Sequence, residues 1–238
     1  MLNKIHPKEN KISQFAKKIN INFNNLDLLK QAFVHRSFLN EHPNFKLKNN
    51  ERLEFLGDAV LELISTEFLF NKFPERPEGD LTNIRASLVD SKSLTNTAEI
   101  LNIEKYLFLS HGESKEKNTK ARKYILANCI EAIIGAIYLD QGYKKTEKFI
   151  KKYILSRTQK IVENELYLDP KTKFQEKSQE LYNITPYYKL INEKGPDHKK
   201  TFTVGLYIEK KLISRAVGSS KQEAEVNAAL TGLKNENW

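Results

Sequence analysis

The chain has 238 residues and a mass of 27.6 kDa, enough for one large or two ordinary domains with a buried core, which excludes a peptide-sized module. Its 39 Lys and Arg against 30 Asp and Glu give a net charge of +9. With 29% charged and 39% hydrophobic residues it reads as a basic globular protein with a polyanionic partner. Cys129 is the only cysteine, so an intramolecular disulfide and a cysteine-rich zinc site are excluded; a reducing compartment is expected, with Cys129 in the core.

The opening segment, residues 1 to 11, lacks the apolar run of a signal-peptide core. From Asn10 to about Arg157, apolar residues recur at spacings of three and four, in Ile12/Phe15/Ile19, Leu26/Leu29/Phe33 and Leu53/Leu56/Val60/Leu63, with no hairpin pattern among them. Pro74 and Pro77 break the pattern after Phe73, and Glu78-Gly79-Asp80 starts another helix. His111 to Lys123 reads as a polar, lysine-rich loop ahead of an apolar helix, Tyr124 to Leu139. That run is interrupted by Asn128 and Glu131 and falls short of the roughly 18 to 20 residues of a membrane span, so a cytoplasmic protein without a membrane partner is expected.

The texture changes near Asp169-Pro170. A short helix, Lys171 to Tyr182, precedes alternating segments at Tyr187 to Asn192, Thr201 to Ile208 and Leu212 to Val217, with turns at Gly195-Pro196-Asp197 and Glu209-Lys210-Lys211. A last helix, Lys221 to Leu233, follows Gly218-Ser219-Ser220, where a serine can cap it. The expected fold class is multidomain: an all-α domain over residues 1–157, a connector over 158–168, and a small α+β domain of α-β-β-β-α order over 169–238. Residues 1–168 carry +6 and residues 169–238 carry +3, so a polyanion finds favourable potential on either part.

Chemistry concentrates on two of the helices. At 100° per residue, Glu51, Glu54, Asp58 and Glu62 fall within an arc of roughly 80°, while Leu53, Phe55, Leu56, Ala59, Val60, Leu61, Leu63 and Ile64 fill the rest of the circumference. A narrow acidic stripe on a helix expected to be mostly buried repels itself and calls for a divalent cation or basic partners. In the second apolar helix Glu131 is the single acidic residue between Arg122 and Asp140, with Asn128 one turn before it. A lone buried carboxylate costs several kcal/mol or stays protonated, so Glu131 needs a cation, a hydrogen-bond network or an opening to water. Oxygen-only donors from two helices suit Mg²⁺ or Mn²⁺ rather than zinc. His35 and His111 have no evident partners and read as structural or surface residues, so no side-chain nucleophile is expected.

The segments His35-Arg36-Ser37-Phe38-Leu39-Asn40-Glu41 and Asn50 to Leu61 (NERLEFLGDAVL) closely resemble the signature of the ribonuclease III family. Pro77 to Leu81, Arg85 to Val89 and Ile125 to Ala136 resemble further family blocks in the same order. In the C-terminal part, Asp169 to Glu176, Gly195 to His198 and Gly218 to Lys221 with Ala224-Glu225 resemble a double-stranded-RNA-binding domain.

The resemblance implies a Mg²⁺-dependent endoribonuclease, with Mn²⁺ as a plausible substitute, cutting double-stranded RNA as a homodimer in ribosomal and messenger RNA processing. It implies 5′-phosphate and 3′-hydroxyl products with short 3′ overhangs. Carried onto this chain, Glu54, Asp58, Asn128 and Glu131 form the metal site, and Asp58 and Glu131 are the catalytic pair. Asn128 stands where the family generally has Asp, which removes one charge and predicts weaker metal affinity. Glu51 and Glu78 correspond to supporting acidic residues, Glu78 being also open to the plainer reading of a helix-start carboxylate. Phe55 is either a dimer contact or part of the monomer core. On the RNA-binding side, Thr172, Gln175, Glu176 and Gln179 face one minor groove, Pro196, Asp197 and His198 the next, and Lys221 a phosphate. Lys221-Gln222 replaces the usual two basic residues, predicting one fewer phosphate contact and a shallower salt dependence. The alternative is a double-stranded-RNA binder that cleaves weakly or not at all because of Asn128.

Overall fold

Asn25, His35, Asp90, Ser110 and Thr119 each turn a side-chain acceptor onto a free backbone N–H at the start of a helix, and these caps set the segmentation of the N-terminal part. The computed structural model describes residues 9–117, 119–196 and 200–238. The chain divides into two compact units, one up to Tyr167 and one from Leu168 to Trp238.

The first unit holds α1 (Glu9–Lys18), α2 (Leu26–Ala32), α3 (Arg36–Glu41), α4 (Glu51–Lys72), α5 (Glu78–Val89), α6 (Ser91–Ile100), α7 (His111–Lys115), α8 (Lys120–Gln141), α9 (Tyr143–Tyr153) and α10 (Thr158–Glu163). Two short 3₁₀ turns lie at Ile103–Tyr106 and Leu155–Arg157. Strand-like pairing in this unit is limited, among the described residues, to an isolated bridge between Val34 and Phe108. The core runs along α4 and α8, each 22 residues long, with Leu61 and Ile64 from one and Ile130, Ile133, Ile134 and Ile137 from the other. Phe15, Phe33 and Tyr106 close one end as a ring cluster with centroids 5.0 to 5.5 Å apart, and Cys129 is buried beside Ala32.

Two sequence expectations are corrected here. The stretch His111 to Lys123 is not all loop: Ser110 caps α7, and Thr119 caps α8 so that the helix starts four residues before its apolar run, with Arg122 buried. Nor is α4 apolar only where it is buried. Phe55, Leu63 and Phe70 are 81%, 58% and 70% exposed, and their spacing of eight and seven residues places them on one face. Phe55 is therefore not part of the core of this chain.

The second unit has α11 (Pro170–Tyr182), β1 (Tyr187–Lys194), β2 (Thr201–Ile208), β3 (Lys211–Gly218) and α12 (Lys221–Asn235), giving the expected α-β-β-β-α order. The strands form an antiparallel sheet in sequential order, with Tyr188 opposite Leu206 and Leu206 opposite Ser214. Asp169 caps α11, whose Pro170 sits at the first position, and Ser220 caps α12. Phe174, Leu206, Ile208, Ala228, Ala229 and Leu233 make a small core of its own, with the Trp238 ring 4.9 Å from Phe174.

Candidate active site and nucleic-acid interface

The acidic residues meet because α4 and α8 touch backbone to backbone. A Cβ built on Gly57 would lie 1.8 Å from the carbonyl oxygen of Glu131, and one on Gly135 would lie 2.2 Å from that of Leu53. Only two glycines facing each other allow this approach, and it brings Asp58, next to Gly57, near enough to act on Glu131 as a like charge. A glycine inside a helix costs roughly 1 kcal/mol of helix propensity, so its presence there has a packing reason.

Partners sort the acidic stripe into two classes. At its ends Glu51 lies 3.7 Å from Arg36 and Glu62 lies 2.8 Å from Arg85. Between them Glu54, Asp58 and Glu131 have no ion pair among the described residues. Burial, with Asp58 and Glu54 as like charges, pushes the Glu131 carboxyl up to about 8. Glu54 is also raised, by burial first and by Glu51 and Asp58, against a lowering hydrogen bond from Asn128. Asn128 meets the cluster as a donor, its Nδ2 lying 2.8 Å from Glu54 Oε1. The carbonyl oxygen expected of it is thus not the atom turned toward Glu54. The amide does with a hydrogen bond what an Asp could do only through a cation.

The donor set is oxygen-rich and its charge uncompensated, which fits a hard divalent cation. Among the described residues no three His, Cys, Asp or Glu side chains converge on one point, so the carboxylates share a region without forming a closed cage. Glu78, at the start of α5, is outside this cluster. It accepts a hydrogen bond from Thr82 at 2.9 Å and lines a separate groove of about 420 Å³ with Phe70 and Arg85.

Beside Glu54 and Asn128 runs a groove of about 760 Å³ that also takes in His35, Ser37, Asn50 and Glu113. His35 has a partner after all: its Nδ1 caps α3 at Ser37 N and lies 2.8 Å from Ser37 Oγ, and burial lowers its pKa. Ser37 Oγ in turn accepts from Ser110 N, Glu41 from His111 N, and buried Asn50 donates to Ala32 O. These bonds lock α3, the start of α4 and the α7 segment around the groove. Only the clustering of short polar residues in His35 to Glu41 signalled them in the sequence.

On α11, Thr172, Gln175, Glu176 and Gln179 are all exposed at helical spacings of three and four, so they share one face. Thr172 donates its backbone N–H to the capping Asp169, and Gln179 reaches Thr185 Oγ1 at 3.4 Å. Pro196 is exposed just after Gly195, which follows the end of β1 and whose φ of 106° only glycine adopts readily, and Lys221 is exposed at the start of α12. Asp197 and His198 lie outside the described residues.

Residues 25–158 match a family model described as Ribonuclease-III-like, and residues 170–236 match a double-stranded RNA binding motif. The chain belongs to the ribonuclease III family. It is 41% identical over 227 residues to ribonuclease 3 of Borreliella burgdorferi, covering 95% of this chain and 92% of that protein. To ribonuclease 3 of Carboxydothermus hydrogenoformans it is 44% identical over 232 residues, covering 96% and 98%. A solved ribonuclease III nuclease domain from Campylobacter jejuni, studied for a region involved in dimer formation, superposes with a TM-score of 0.52 at 38% identity, covering 60% of this chain and 97% of that one. As a ribonuclease III the chain is an endonuclease acting on double-stranded RNA, with a helical nuclease domain followed by an RNA-binding domain. The family is generally metal-dependent. No helix among the described residues is long and apolar enough to cross a membrane.

Proposed function

We propose that this ribonuclease III hydrolyses phosphodiester bonds of double-stranded RNA with Mg²⁺ held by Glu54, Asp58, Asn128 and Glu131, Mn²⁺ serving as a substitute. The observation that carries the proposal is that three carboxylates without an ion-pair partner among the described residues share one region at the Gly57–Gly135 crossing, without converging on one point. The ion, when bound, lowers the pKa of a water and offsets charge developing on phosphate oxygens. Asp58 and Glu131 are the catalytic pair. Glu131, which keeps its proton to about pH 8, has to ionise to act as a ligand, so metal uptake releases a proton. Asn128 keeps Nδ2 on Glu54, which leaves Oδ1 as its ligating atom. Glu51 and Glu78 are supporting acids, Glu51 by adding to the potential at Glu54.

The products are 5′-phosphate and 3′-hydroxyl ends with short 3′ overhangs. Each subunit of a homodimer cuts one strand, and the exposed face of Phe55, Leu63 and Phe70 is the dimer contact. The α11 face of Thr172, Gln175, Glu176 and Gln179 lies in one minor groove, Pro196, Asp197 and His198 reach the next, and Lys221 meets phosphate between them. The cell-level role is processing of ribosomal and messenger RNA precursors in the cytoplasm.

The test is long duplex RNA with Mg²⁺. Wild-type protein should yield short duplexes with 5′-phosphate ends, while Glu131→Gln should retain RNA binding and lose cleavage by about a thousandfold or more. A gel shift without products from the wild type would make the chain a binder, and an active Glu131→Gln would remove that residue from catalysis.

A further inference from the structure

One strongly charged group in the helical unit has no role in the cluster above. Arg122, near the start of α8, is 3% exposed, and none of its neighbours among the described residues is a carboxylate in ion-pair range. Its Nε donates to Glu116 O at 3.2 Å and its Nη2 to Glu113 O, while Nη1 is buried without any hydrogen-bond partner. A guanidinium has five N–H donors, and a buried cation with both Nη1 donors unserved carries a desolvation cost that carbonyl dipoles only partly offset.

Arg122 lines a pocket of about 390 Å³ between the 3₁₀ turn Ile103–Tyr106 and the start of α8. Lys105 and Lys117 line it too, both exposed, along with Ser114, Asn102 and a single acid, Glu104. Three cations and one anion leave the pocket at +2, close to the charge that a phosphate monoester or inorganic phosphate brings near pH 7. With Nε and Nη2 held by carbonyls, Arg122 offers phosphate the charged Nη1 end of its guanidinium and each lysine a point charge, so the donor set matches that anion in sign. The pocket is not the catalytic groove. Arg122 precedes Asn128 by six residues, about 9 Å along α8 and some 240° around it.

We propose that this pocket is a second anion site, which takes a phosphate group on Arg122 with Lys105 and Lys117 closing over it. The phosphate is either free, as inorganic phosphate or a nucleotide, or part of an RNA backbone passing outside the catalytic groove. An anion there would also brace the connector whose carbonyls Arg122 already holds, just ahead of the helix that carries Asn128 and Glu131.

The test uses the full chain in EDTA, which prevents RNA cleavage, and compares wild type with Lys105→Ala/Lys117→Ala. This pair is exposed and leaves the fold intact, as a melting curve would check, whereas removing Arg122 would also free two carbonyls. Calorimetric titration with inorganic phosphate at constant ionic strength should show binding weakened roughly tenfold or more in the variant if free phosphate is the occupant. If the occupant is RNA backbone, the slope of log affinity for duplex RNA against log salt should become shallower by about one in the variant. Equal phosphate binding, or none, in both proteins together with equal salt slopes would leave the pocket holding water only and overturn the proposal.

Discussion

Glu131 shows what the crossing of α4 and α8 demands of a single side chain. In the metal-free folded protein its carboxyl keeps a proton up to about pH 8, whereas the ordinary value is 4.5. Stability from this group is therefore complete below about pH 4.5, declines as the pH rises toward 8, and is constant above. Glu131→Gln removes the decline. In EDTA at pH 8.5 the variant should be more stable than wild type by about 2 kcal/mol, less than the full shift because Glu131 is only partly buried. Melting curves from pH 5 to 9 check this; parallel pH profiles would contradict it. Asn128 responds in the opposite sense. Asn128→Asp loses the donor to Glu54 and adds a like charge, so the metal-free variant should melt lower, while its cleavage should need roughly tenfold less Mg²⁺. An unchanged Mg²⁺ midpoint would take Asn128 out of the ligand set.

Helices α4 and α8 depend on Gly57 more than on any apolar residue, since a methyl group there meets the Glu131 carbonyl oxygen at 1.8 Å and no side chain can move to relieve it. Gly57→Ala should destabilise the helical unit by about 3 kcal/mol or more, a fall in Tm of roughly 6–12 °C. Cleavage should drop by about a hundredfold, because the carboxylates part by an ångström or so. Thermal melts and single-turnover cleavage measure the two effects, and a variant as stable and active as wild type would refute the close-contact account. The sequence made this element pair legible through its periodicity and its isolated acids. It did not show that Glu51 and Glu62 would be paired off by Arg36 and Arg85, because that depends on which helices lie next to α4. Nor did it mark α7, whose helical turn comes from the Ser110 cap rather than from any apolar pattern.

At the scale of the whole molecule, the division into two units was legible because a new helix starts at Asp169-Pro170 and the pattern then changes from a period of 3.6 to a period of 2 from Tyr187. The outward face of α4 was not. Phe55 and Leu63 fit an apolar helix whether that helix is covered by its own chain or by another, and only the fold shows them 81% and 58% exposed. Phe55→Asp should leave the melting temperature of the subunit within a few degrees, since the side chain touches no core. Sedimentation should then show a monomer, and cutting of both strands should fail. A variant that still sediments as a dimer would place the interface elsewhere. The backbone contact at Gly57 and Gly135 has a further consequence for ion selection. Helices already in contact cannot close around a small ion, so in the proposed site discrimination between ionic radii would fall to the side-chain torsions of Glu54 and Glu131 rather than to any movement of the frame that carries them.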